Sequence, residues 1–169
     1  MKALAPRLVL AALATAFLLA APAAADGNKA ILKDDVTPSL PTDDPIFGVP
    51  PGGAPWVIDK GEARVKPDGR VRARVEGLVI PTPPQNGTNP IPLLRASVYC
   101  DGVLAGMTAS FPFSPGGDAR IEDEVSLPGD CHHAAVLLNP VRLGPTGQPA
   151  PLNAYIGSAG VVGDQDDDD

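Results

Sequence analysis

The chain has two histidines, and they are adjacent: His132 and His133 directly follow Cys131. Histidine is the usual general base and metal ligand near neutral pH, so this pair is the first place to look for chemistry. A zinc site needs three or four ligands. Asp130 and the run Glu122-Asp123-Glu124 are the carboxylates that could complete one. Neighbouring residues on a strand point to opposite faces, which keeps both imidazoles from gripping one ion. The competing reading makes both histidines loop residues beside a disulfide. For a serine nucleophile, the only elbow-like string is Ile156-Gly157-Ser158-Ala159-Gly160. It lacks the glycine two positions before the serine that G-x-S-x-G requires. Glu122 and Glu124 could pair as glycosidase-like acids, but their alternation places them on a strand's outer face, where charged residues normally sit. The residue types point away from an enzyme, with no catalytic set, no metal and no cofactor expected.

A different cluster could bind. Arg64, Lys66, Arg70, Arg72 and Arg74 recur at two-residue spacing around one turn, with Glu62 and Glu76 at the margin. On a hairpin they project from one face. Guanidinium forks suit phosphate and carboxylate, so the stripe is a candidate anion-binding face for an acidic glycan or a phosphate-bearing polymer. Two other readings compete with it. The stripe could be a solvated face that discourages edge-to-edge pairing, or a dock for an acidic tail. Asp166 to Asp169 lack the spaced ligands and glycine of an EF-hand loop, so a solubilising tail is expected there. Asn86-Gly87-Thr88 matches a glycosylation acceptor and is taken as loop.

The compartment is set by the N-terminus. Lys2 and Arg7 precede an apolar run from Leu8 to Ala20, Pro22 breaks it, and Ala23-Ala24-Ala25 forms an A-x-A site. That is a signal peptide cleaved after Ala25, and a secreted, extracellular protein is expected. The run is shorter than the roughly 20 residues of a membrane span, and no second apolar stretch follows. Residues 26–169 then number 144, with 11 basic and 20 acidic side chains. The five aspartates of 164–169 and those of 26–44 carry most of the excess, while 45–163 is nearly neutral. Such a distribution favours solubility, and a nucleic-acid partner is not expected. Two cysteines in an exported chain predict one disulfide, Cys100–Cys131.

The elements that must carry these residues are strands. Residues 26–54 hold five prolines and no clean period, which predicts a linker or arm, although Ile46 to Val49 could pack on the domain. A β-domain is expected over 55–160, with an acidic tail at 161–169. Val57 begins it. Pro67-Asp68-Gly69 is a turn that pairs Lys66 with Arg70, Val65 with Val71, Ala63 with Ala73 and Glu62 with Arg74. Asp101-Gly102 predicts a second hairpin, whose return strand would put Val103, Ala105 and Met107 on the face of Cys100. Asp123 falls on an inward position, which predicts a bulge or a frayed strand centre. A more continuous apolar run covers Ala134 to Leu138, and a last strand is expected at Leu152, Ala154 and Ile156. About seven strands with regular turns predict a two-sheet β-sandwich. It would be only loosely immunoglobulin-like, since Trp56 precedes both cysteines instead of lying between them. Their bond would tie distant strands.

The stretch Leu93-Leu94-Arg95-Ala96-Ser97-Val98-Tyr99-Cys100-Asp101-Gly102, then Phe113 to Ile121, then Cys131 and Ala135 to Pro140, resembles small secreted proteins of unknown function from high-GC Gram-positive bacteria. The resemblance implies a β-domain and export, and no activity. The functional expectation is a non-catalytic binding or structural component of the cell exterior. Its partner would be an anionic cell-surface polymer or a secreted protein. An alternative is an inhibitor acting through the proline-rich loop 81–92, where restricted φ lowers the entropy lost on binding. The third is a small enzyme using His132 or His133.

Overall fold

A computed structural model describes residues 29–161, so the expected signal peptide and nearly all of the acidic tail lie outside the described residues. Within this range the chain forms eleven strands and no helix. They make two sheets that face each other as a sandwich.

The four-stranded sheet has the order β1-β3-β4-β8, all antiparallel. Its strands are β1 (Leu32–Asp35), β3 (Lys60–Val65), β4 (Arg70–Glu76) and β8 (Ala119–Glu124). The β3–β4 register is the one expected from alternation: Val65 faces Val71, Ala63 faces Ala73 and Glu62 faces Arg74. Lys66 N–H donates to the Arg70 carbonyl at 2.9 Å, and Gly69 takes the left-handed conformation at φ 86°. A strand of period two admits no register slip without exposing every valine, which is why local alternation was sufficient here.

The second sheet has the order β2-β11-β9-β5-β6, with β10 joined to β9 and β7 to β5. Its strands are β2 (Thr37–Pro38), β5 (Leu93–Cys100), β6 (Val103–Met107), β7 (Phe111–Pro112), β9 (Ala134–Leu143), β10 (Pro149–Pro151) and β11 (Gly157–Ala159). The main core lies between the sheets and includes Val65, Val71, Val75, Leu94, Val98, Ile121, Val136 and Leu138, with Trp56 and Phe113 stacked at 6.5 Å. A smaller cluster of Tyr99, Ala135, Leu137 and Tyr155 covers the far side of β5 and β9. The unbroken apolar run of β9 follows from this: it is buried on both faces, so polar alternation is lost.

Several expectations are corrected. Residues 29–54 are not a free linker. They carry β1 and β2, and Leu32 and Val36 are buried in the core. Their short strands gain stability only by pairing with β3 and β11, which no local period announces. Ile46 to Val49 does pack on the domain, beside Tyr99 and Tyr155. Trp56 is buried, but Val57 makes only an isolated bridge to Val79. Asp123 causes no bulge, since β4 and β8 pair continuously past it. Its carboxylate sits at the margin of the sandwich and accepts the Ala109 N–H at 2.7 Å. The last strand is β11, not Leu152 to Ile156. On β6, Leu104 faces Tyr99 as the two-residue turn requires, but one extra residue at Ala105 then shifts the pairing, so Ser97 faces Met107. Met107 therefore leaves the face of Cys100 and joins that of Tyr99.

The disulfide joins Cys100 to Cys131 with Cα atoms 5.2 Å apart. It does not tie distant strands. β5 and β9 are hydrogen-bonded neighbours, and Cys100 lies opposite Ala134.

Candidate functional site

The expected stripe exists as a face. Arg64 lies on β3, Arg70, Arg72 and Arg74 on β4, and Lys66 at the mouth of their turn; each alternates with buried Ala63, Val65, Val71, Ala73 and Val75. The two outer strands, invisible to local reading, change its charge. β1 adds Lys33 opposite Arg64, and β8 sets Arg120 opposite Arg74, Glu122 opposite Arg72 and Glu124 opposite Arg70. The face is thus interleaved with carboxylates. Lys33 pairs with Glu62 at 3.6 Å, Arg74 with Glu76 at 2.8 Å, and Arg70 with the turn residue Asp68. Glu122 Oε1 serves two guanidiniums at once, Arg120 at 2.7 Å and Arg72 at 3.4 Å. The Arg120 hydrogen bond holds the Glu122 carboxyl below its ordinary value, as does the Arg70 side chain for Asp68. These exposed pairs contribute little stability individually.

Arg64 differs from its neighbours. Its side chain has no ion pair or hydrogen bond among the described residues, and its Nε is buried without a partner. It lies between Lys33 and Arg72 in one cross-strand row. Like charges directly opposite one another repel, and with Lys33 paired to Glu62 and Arg72 to Glu122, Arg64 is where this row remains uncompensated.

The histidines sit elsewhere, at the disulfide end, and are exposed. Asp101 organises them. Its carboxylate accepts the His132 N–H at 3.3 Å and the His133 N–H at 3.0 Å, and lies 3.2 Å from His133 Nδ1. In return the Asp101 N–H donates to the His133 carbonyl at 2.9 Å. Asp101 and Gly102 both have positive φ, at 49° and 80°, as a two-residue hairpin turn requires. The arrangement locks this turn to the loop entering β9. Among the described residues no group of three His, Cys, Asp or Glu side chains is close enough to hold a metal. Ser158 is buried in β11 opposite Leu137.

This cluster predicts a pH effect. The Asp101 carboxyl is held below its ordinary value, chiefly by the His132 backbone N–H, although partial desolvation works the other way. A depressed folded pKa gives stabilisation that is present above the unfolded value and lost as pH falls through the folded one. The amide shifts of His132 and His133 should therefore titrate with a midpoint below 3.8, the ordinary value. NMR between pH 6 and about 2 checks this; a midpoint at or above the ordinary value would contradict it.

Loop 81–92 is exposed over most of its length and is tied to itself. Gln85 and Asn86 N–H groups both donate to the Thr82 carbonyl at 3.1 Å, and Thr88 Oγ1 donates to the Gln85 carbonyl at 2.7 Å. Buried Asn89 anchors its base, donating to the carbonyls of Ile91 at 2.7 Å and Ser114 at 2.9 Å. The Pro83–Pro84 peptide is cis. No helix among the described residues is long and apolar enough to cross a membrane. No protein-family model matches the chain, and no curated protein or solved structure matches it either.

Proposed function

We propose that the chain is an exported, non-catalytic β-domain that captures an anionic polymer at the cell exterior through the outer face of its four-stranded sheet. The observation that carries this reading is the row Lys33, Arg64 and Arg72. Three cations lie in register across three strands, and the central one has no carboxylate among the described residues. A polymer with repeated phosphates or carboxylates relieves that repulsion and satisfies the Arg64 donors. An open face spanning four strands suits an extended chain better than a compact ligand. The expected signal peptide at 1–25 and the resemblance to small exported bacterial proteins support the compartment.

The test is binding to inorganic polyphosphate and to purified cell-wall material at low and high salt. The wild-type protein should bind at low salt and be released at high salt. The Arg64→Glu/Arg72→Glu variant should bind polyphosphate at least about tenfold more weakly, with an unchanged circular dichroism spectrum. Equal binding by both proteins would reject the face as the site.

Loop 81–92 supports a second reading, an inhibitor or partner of a secreted protein. Its internal hydrogen bonds and the Asn89 anchor pre-order an exposed segment, which reduces the entropy lost on docking. A variant with 83–87 shortened should then lose a protein partner and keep polyphosphate binding.

A further inference from the structure

The opposite sheet carries a second feature, independent of the basic face. On the outer side of that sheet Leu104 lies opposite Tyr99, and the register shift on β6 brings Met107 opposite Ser97. Together with Arg95 and Asn139 they line a cleft of about 230 Å³. No acidic side chain lines it. The Arg95 side chain has no ion pair or hydrogen bond among the described residues, and its Nε is buried without an acceptor. A buried donor left unpaired is costly and calls for an explanation.

Two other polar side chains of the floor, Ser97 and Asn139, are already hydrogen-bonded. Ser97 Oγ donates to Asn139 Oδ1 at 2.6 Å, and Asn139 Nδ2 donates to the Ala154 carbonyl at 2.9 Å. Arg95 is the one charged side chain lining the cleft, and it has no anionic partner among the described residues. The wall is apolar and unusually exposed, with Leu104 46% and Met107 48% accessible. It is also held in place. Phe47 stacks on the Tyr99 ring with centroids 4.5 Å apart. Phe47 does so at φ 52°, in a tight turn closed by reciprocal Ile46 and Val49 backbone hydrogen bonds of 3.0 and 2.9 Å. A bulky residue in the left-handed region is rare and strained, and such strain persists only where the surroundings impose it.

We propose that this cleft binds a small organic acid, with its carboxylate on the Arg95 guanidinium and its apolar body against Tyr99, Leu104 and Met107. The fork of arginine matches the two carboxylate oxygens, and the volume suits a single ring better than a drug-sized ligand. Charge complementarity decides for an anion: the cleft offers one unpaired cation and no carboxylate. The proposal does not depend on polymer capture by the other sheet.

Benzoate and its neutral counterpart benzamide are the probes, followed by NMR on the purified protein. Benzoate should give saturable shifts at Arg95, Ser97, Tyr99, Leu104 and Met107 in the millimolar range expected for so small a ligand. Benzamide should not saturate over the same range. Arg95→Gln should weaken benzoate binding about tenfold, as should Leu104→Glu, an exposed site whose change spares the core. Benzoate shifts confined to the Arg64–Arg72 face, or equal responses to benzoate and benzamide, would overturn the proposal. So would β6 shifts that change with protein concentration alone, since the cleft would then belong to a second copy of this chain.

Discussion

Replacing Gly69 with alanine is expected to destabilise the protein by about 2–4 kcal/mol, combining left-handed strain with steric overlap. Gly69 has φ 86°, and it directly precedes β4, whose first residue Arg70 pairs with Glu124 at the end of β8. Its N–H donates to the Lys66 carbonyl at 3.0 Å, and its own carbonyl accepts the Val125 N–H at 2.9 Å. A Cβ at this position would overlap the Val125 carbonyl oxygen, which is backbone and cannot rotate aside. The variant must therefore strain the turn or release the end of β8, and releasing it unpairs the sheet that carries the basic face. Gly53→Ala is the control. An added Cβ there meets nothing within 4 Å, and its φ is ordinary, so its effect should stay within about 0.5 kcal/mol. Urea unfolding of both variants checks the contrast. Equal effects at the two positions would contradict it.

Removing the disulfide by Cys100→Ala/Cys131→Ala is expected to cost about 3–4 kcal/mol on the loop-entropy account. The two cysteines are separated by 31 residues, so the cross-link deletes a substantial share of the unfolded chain's freedom. The melting temperature should fall by roughly 10–20 °C for a domain of this size. The loss should be local as well as global. The bridge sits beside the Asp101 carboxylate, whose hydrogen bonds to His132 and His133 hold the same corner. Amide exchange at 132 and 133 should rise in the variant before the centre of β5 and β9 is affected. A melting temperature within about 3 °C of wild type would show that the corner is held by the strand ladder alone.

The legible parts of this protein were the local ones. Val71, Ala73 and Val75 alternate around a Pro-Asp-Gly turn, and that alone specified the β3–β4 register. Two cysteines allowed one pairing. The basic stripe was visible for the same reason, because its five cations lie on one hairpin. Its actual charge was not visible. Lys33 arrives from β1, more than 25 residues before β3, and Arg120, Glu122 and Glu124 from β8, more than 40 residues after β4. Pairing over such separations leaves no period in the sequence. The Arg95 cleft was missed through a single residue. An isolated glycine within a strand hints at a bulge, and Gly106 was that hint, yet the even alternation expected for β6 put Met107 on the wrong face. β1 and β2 were hidden by the prolines around them.

By itself, then, the sequence determined an all-β chain, its two tight hairpins, its disulfide and the five cations of one hairpin face. These follow from two-residue alternation and turn chemistry, which act between near neighbours. The tertiary structure decided which carboxylates neutralise those cations, that Arg64 is left without one, and that Arg95 opens into an apolar cleft. Each of these depends on which distant strands lie side by side and on one residue of register, and both are settled only when the two sheets close over a shared core.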